Sequence, residues 1–391
     1  VRVLIGASNE TGGQYKDGDG NTLAQQLSLT TETKKYQDAY SNMDAFSKKT
    51  GNLKLFVNPT DNTELRFGYM ANRSDDILYP SSTMDAIYDD SNVLSFGATV
   101  KNLSDFSKEL KIDTYKSDVQ HLMSTKYRNY LSNTKVNSST QVNGWMDAYV
   151  ETEMLGIKLK NSFEAGLHKI DLGIDTSSRN WKGYKNFSET GFSPVGDTIE
   201  GTSLVTTAML IGMTDANFVP DVDTKNRAVF LEDEFKISNA NIKIGARYDD
   251  TNVKANQVAK TMTTIADRDI DYSALSANIL ATIKANDNLE FIAGIGKSSR
   301  VPDAKELYMS GGNAIAAGDL DQTTNTEIDL GFDYKNGNFG FKAKAFYSDL
   351  KDYIYYKYIA DDSTTTTVDE SKGSKYVNIN AHIYGVEANS F

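Results

Sequence analysis

No cysteine occurs in the 391 residues, so neither a disulfide framework nor a thiolate-held zinc or iron-sulfur centre is available. Prolines number five, and no Pro- or Ser-rich linker divides the chain, which points to one large closed unit rather than a string of soluble sandwiches. No run of about 18 apolar residues exists, which excludes crossing a bilayer as a helix. The three histidines are scattered, with no Ser-His-Asp arrangement. No Gly-rich phosphate loop ends in Lys-Ser or Lys-Thr. Catalysis is therefore not expected. The net charge of -12 lacks the Lys/Arg surplus that phosphate contacts require, so no nucleic-acid partner is expected; an acidic chain can still receive a cation.

What the chain has is a period of two. In 64–73, Leu65, Phe67, Tyr69 and Ala71 alternate with Glu64, Arg66, Gly68, Met70 and Asn72. The same split recurs in 242–249, 289–296 and 327–334. Successive side chains of a strand point to opposite faces, so one face meets something oily and the other something wet. Aromatics are plentiful, with 22 Tyr, 17 Phe and 2 Trp. Tyrosine suits a membrane-water boundary, where its ring is covered and its hydroxyl wet.

The connections carry a second pattern. Compact turns rich in Asn, Asp, Gly and Ser fall at 58–63, 104–107, 239–241, 286–288 and 336–338. Between them come long loops at 79–90, 127–144, 181–225, 256–269, 300–324 and 360–373. Tight turns on one side and long loops on the other are the habit of outer-membrane barrels. The expectation is an all-β fold of 13 to 15 strands, an antiparallel transmembrane β-barrel. An open arc of strands would leave unpaired backbone groups in hydrocarbon, each costing several kcal/mol. Either further strands lie in stretches read as loops, or residues 1–391 are part of a larger barrel.

Specific residues then match a known family. Gly296-Lys297-Ser298-Ser299-Arg300-Val301-Pro302-Asp303-Ala304-Lys305-Glu306-Leu307-Tyr308, followed by Thr326-Glu327-Ile328-Asp329-Leu330-Gly331, resembles the barrel of TonB-dependent outer-membrane receptors. So does Phe346-Tyr347-Ser348-Asp349-Leu350-Lys351-Asp352-Tyr353-Ile354, with Tyr376-Val377-Asn378-Ile379-Asn380-Ala381 and Tyr384-Gly385-Val386-Glu387. Upstream, Tyr15-Lys16-Asp17-Gly18-Asp19-Gly20-Asn21, Tyr79-Pro80 with Met84-Asp85, and Gln120-His121-Leu122-Met123 resemble its copper-receptor branch. The resemblance implies a Gram-negative outer-membrane location, a barrel of 22 strands of which 1–391 is a portion, and a plug domain and last strands outside this segment. It implies partnership with the TonB-ExbB-ExbD complex, and contact with outer-membrane lipid and a metal-ion substrate. In that branch a barrel His-x-Met pair joins a Cys and a Met of the plug to hold copper, which carries over here to His121 and Met123.

Two residues apart, His121 and Met123 share a strand face. They have the parity of Lys111, Asp113, Tyr115 and Ser117, opposite to Leu110 and Ile112, and so face the lumen if no bulge intervenes. Imidazole with thioether is a soft donor set suited to copper, Cu(I) above all; the plainer reading is a polar lumen histidine beside a gap-filling methionine. His168 and His382 read as structural. Met43, Met84, Met209, Met213 and Met309, in or near the loops, offer either a soft relay or simple loop packing. Asp17-Gly18-Asp19-Gly20-Asn21 starts like a calcium loop but has Thr22 and Ser28 where that loop needs Gly and Glu, so a Gly-rich turn is preferred over a surface calcium site. The functional expectation is a receptor that binds copper at the external mouth and imports it with TonB energy. Alternatives are an iron-siderophore or cobalamin receptor, a passive porin-like barrel, and a soluble β-protein in which Leu65, Phe67 and Tyr69 would be buried.

Overall fold

The computed structural model describes residues 1–28, 34–129, 134–135, 141–142, 144–189, 216–257, 268–308, 314–315, 317–359 and 373–390. Fourteen long strands follow one another: β1 (Arg2–Gly12), β2 (Phe46–Thr60), β3 (Thr63–Ile77), β4 (Asp85–Lys101), β5 (Ser107–Ser124), β6 (Gly144–Ala165), β7 (His168–Glu189), β8 (Ala216–Ile237), β9 (Ala240–Ala255), β10 (Asp269–Asn286), β11 (Leu289–Arg300), β12 (Thr323–Asn336), β13 (Phe339–Ile359) and β14 (Gly373–Ser390). Each pairs antiparallel with the strand before and after it in a single meander. The two-residue piece Ala314–Ile315 lies parallel to the start of β14. The sheet is open, with β1 at one edge and β14, flanked only at its start by Ala314–Ile315, at the other.

The registers decide what each face meets. Leu53 pairs with Tyr69 and Leu55 with Phe67, then Phe67 with Phe96 and Tyr69 with Leu94, so apolar side chains of one parity run as continuous rows. Among the described residues nothing covers them. Phe67 is 46% exposed, Leu231 46%, Ile295 50% and Leu330 59%. A soluble sheet would bury such rows against a second layer, and here they stand bare. This excludes the soluble reading and matches an outward wall built for acyl chains. Aromatic pairs flank the wall: Phe106 with Phe163 and Tyr334 with Phe339 at the turn end, Tyr149 with Tyr184 toward the loop end.

The opposite parity is charged and cross-linked. Arg66 pairs with Asp113 at 3.0 Å, Lys160 with Asp171 at 2.7 Å, Arg247 with both Asp175 and Asp249, and Lys344 with Asp329 at 2.7 Å. Inward aromatic rings lie over glycines of the neighbouring strand, Tyr115 over Gly156 and Phe230 over Gly173. A side chain at either glycine would collide with the ring, so the missing Cβ is what seats the aromatic.

Turns and loops alternate as expected, with strand ends longer than the sequence implied. Two-residue connections join β2 to β3, β6 to β7, β8 to β9, β10 to β11 and β12 to β13; Gly166 and Gly337 supply positive φ angles of 62° and 58°, as tight hairpins demand. The turn placed at 58–63 shrinks to 61–62. The loop placed at 79–90 is only 78–84, and that at 181–225 loses ground to β7, which reaches Glu189, and to β8, which restarts at Ala216. Beyond the lipid both faces of a strand meet water or packed loop, so the alternation that reveals a strand fades although the backbone ladder continues.

Candidate functional site

The loop end of the sheet is closed over by two packed loop clusters. In the first, the connection between β1 and β2 carries helix α1 (Leu23–Ser28), whose Leu23, Ala24 and Leu27 pack with Tyr36, Leu78 and Tyr127. Its centre is ionic. Asp85 and Arg128 have fully buried side chains, joined by Arg128 Nε to Asp85 Oδ2 at 2.6 Å and Nη2 to Oδ1 at 2.6 Å. Tyr36 donates its hydroxyl to Asp85, and the Tyr79 amide donates as well. Arg128 donates on to the carbonyls of Lys34 and Tyr79 and lies 3.8 Å from the centre of the Tyr36 ring. Three loops are thus tied at one point.

The second cluster is built on the connection between β11 and β12. Helix α2 (Ala304–Tyr308) is started by a capping box, in which Asp303 accepts from the Lys305 amide and Glu306 accepts from the Asp303 amide. Leu307 and Tyr308 are completely buried against Val222, Val253 and Tyr272 of the inward face; each such side chain contributes about 1.5–3 kcal/mol. Arg179 of β7 holds Asp303 at 2.6 Å. The motif 301–308, placed by sequence within the long loop 300–324, is therefore a helical latch, and Asp303 with Glu306 was the sequence signal for it.

His121 and Met123 lie between these clusters. On the β6 side the β5 register runs unbroken from Leu110–Asn161 to Ser124–Asp147; the bulge opposite them belongs to β4, at Ile87. Parity along β5 therefore holds, and both residues share the face of Asp113 and Tyr115, within one turn of the loop end. His121 is a quarter exposed, with Nδ1 3.3 Å from Asp89 Oδ2. Met123, Met84, Val150 and Trp181 each pack against the buried pair Ala148 and Val219, and Trp181 reaches the second cluster as well. Met84, at the end of the 78–84 connection, thus shares one apolar cluster with Met123, and His121 lies on the same face of β5 as Met123.

The other residues singled out divide clearly. Met43 packs against the first cluster, whereas Met209, Met213 and Met309 lie outside the described residues. His168 is paired with Asp233, and His382 with Asp349 and Tyr347. Asp17 spends its carboxylate on the Asn21 and Asp19 amides, the first of which does most to hold its carboxyl below the ordinary value; this is a self-satisfied turn that leaves little for calcium. Among the described residues, no three His, Asp or Glu side chains gather into a metal site. Asp89 and the pair Arg128 with Tyr36 were not singled out by sequence, because spacing along the chain carries no trace of partners 32 to 92 residues away.

Comparison with known proteins fits this geometry. A family model described as TonB dependent receptor-like, beta-barrel, matches residues 8–391. No curated protein matches the chain in sequence. Among solved structures the chain is similar to the copper transporter OprC (18% identity, TM-score 0.75, covering 99% of this chain and 54% of that one). It is also similar to the hemophore receptor HasR of Serratia marcescens, solved with its hemophore HasA and heme (14%, 0.64, 99% and 56%), and to the FrpB iron transporter from Neisseria meningitidis (13%, 0.63, 99% and 54%). At these identities the likeness is one of fold, and the chain spans about half the length of these structures. With its bare apolar wall, charged inner face and one-sided long loops, the chain belongs to the TonB-dependent receptor β-barrel family, whose barrels lie in the Gram-negative outer membrane.

Proposed function

We propose that this barrel serves a receptor that takes up copper at the external mouth and passes it inward when the TonB-ExbB-ExbD complex acts on a plug domain. The observation that carries the reading is the placement of His121 and Met123 on one inward face just below the mouth, with Met84 packed against the same apolar cluster as Met123. Thioether and imidazole donors suit copper far better than hard cations. Asp89 beside Nδ1 supports the role, since a carboxylate that fixes a ligand histidine leaves its other nitrogen free for the metal. That one of the similar folds is a copper transporter agrees with this. The proposed role is transport rather than catalysis.

A second reading has an observation of its own. The His121-Asp89 contact equally describes a histidine tied down as structure, and other similar folds handle iron or heme; an iron-siderophore or cobalamin cargo would then rest on the loops. Copper titration of the full-length receptor separates the two. His121→Ala and Met123→Ala should each weaken copper binding, and the pair together should abolish it. Copper binding untouched by the double substitution would remove the copper reading.

A further inference from the structure

The turn end of the outward wall holds one charge where hydrocarbon contact favours none. Asp233 projects from β8 on the lipid-facing parity, paired in the ladder with Ile244 on one side and Ile170 on the other, with Leu231 and Phe235 before and after it on the same face. Its Oδ2 lies 2.7 Å from Nδ1 of His168, the first residue of β7. The imidazole ring rests on Phe235, centroids 5.0 Å apart. The other oxygen, Oδ1, is covered and has no hydrogen-bond partner.

A leucine at 233 would complete the wall without penalty, whereas ionisable residues on a lipid face are costly and generally mark function. The pair stands beside the tight turn at 166–167, and therefore at the periplasmic boundary, the level of lipid headgroups. Nδ1 is engaged by Asp233, so the nitrogen available to an outside ligand on this half-exposed ring is Nε2. The group that every glycerophospholipid presents at that depth is an anionic phosphodiester. With a phosphate oxygen on Nε2, both ring nitrogens donate and the charges alternate from carboxylate to imidazolium to phosphate, an arrangement of charge-assisted hydrogen bonds. Ile170, Leu172 and Leu231, further from the turn on the same face, provide apolar surface for the acyl chains leading away from it.

We infer that His168, oriented by Asp233, forms a binding site for the phosphate of a phospholipid in the periplasmic leaflet. The full-length receptor in detergent, titrated with dimyristoylphosphatidylglycerol and separately with dimyristoylglycerol, which has the same chains and no phosphate, tests this by native mass spectrometry. Wild type should retain one more phosphatidylglycerol than His168→Ala. Asp233→Asn should lower that occupancy several-fold, His168→Lys should keep it, and dimyristoylglycerol should not distinguish the proteins. Heat-modifiable migration on gels identifies the folded barrels to be compared. Equal phosphatidylglycerol occupancy in wild type and folded His168→Ala, or a loss of dimyristoylglycerol in His168→Ala as large as the loss of phosphatidylglycerol, overturns the inference.

Discussion

Arg128 and Asp85 meet inside the mouth with both side chains fully buried and two hydrogen bonds of 2.6 Å between them. Asp85 opens β4, and its neighbours in sequence are Met84, which packs against the same apolar cluster as Met123, and Ala86, which faces Met123 across the ladder. The ion pair therefore fixes the backbone that frames the proposed copper ligands, although it touches neither of them.

Removing one member of such a pair strands a buried charge, at a cost of about 3–5 kcal/mol. Arg128→Ala should loosen the loops around 34–40, 78–84 and 125–129 while the barrel, which depends on its ladders, stays folded. Limited proteolysis should show new cuts in those segments with heat-modifiable migration preserved, and the double replacement Arg128→Met with Asp85→Leu should be cut less. A single substitution that left the cleavage pattern unchanged would show that the pair does not hold the mouth together.

The two faces of β8 should respond oppositely to charge. Leu231 faces lipid and Glu232 faces the lumen, so Leu231→Arg should cost about 2–4 kcal/mol of folding into vesicles. Glu232→Gln should stay within about 0.5 kcal/mol. Urea titration of the refolded full-length protein in lipid measures both, and comparable losses would mean that the assignment of faces is wrong.

Gly156 lies under the ring of Tyr115, with a Cβ at that position only 2.5 Å from the ring. Gly156→Val should therefore destabilise by about 1–3 kcal/mol through overpacking. Gly51→Ala, where a Cβ would meet nothing within 4 Å, is the matched comparison and should change little. The same urea titration reads both, and Tyr115→Ala should relieve part of the Gly156→Val loss.

Burial, and after it the Asp85 carboxylate, pushes the Tyr36 phenol well above its ordinary value of 10.0. A group whose folded-state value is raised contributes stability that is whole below its unfolded value and is lost as pH climbs beyond it. The mouth should thus keep its protection from proteolysis up to about pH 10 and lose it above. Phenolate absorbance should show tyrosines ionising later than free tyrosine, with the late fraction smaller in Tyr36→Phe. An absorbance titration with no late component would contradict the buried, neutral phenol.

The fold was legible because its signal repeats. Rows such as Leu65, Phe67 and Tyr69 announce a strand with one oily side, and the turn residues at 286–288 and 336–338 mark where strands reverse. The ends of strands were less legible, since near Ile77 and Asp85 neither face meets lipid and the alternation that flags a strand disappears. His121 and Met123 could be placed on one face by parity alone, whereas Asp89 could not be joined to His121 without knowing which strands are neighbours. Helix α2 was missed because five residues are too few for a helical period to show, although its capping pair was visible.

By itself the sequence determined the class of fold, the direction each strand residue faces and the side on which the loops lie, because these follow from a period of two and from local turn chemistry. Only the tertiary structure decided that Arg128 meets Asp85, that Arg179 anchors α2 and that His168 leans on Asp233. Those contacts join residues 43 to 124 positions apart, and no local rule carries the register that brings them together.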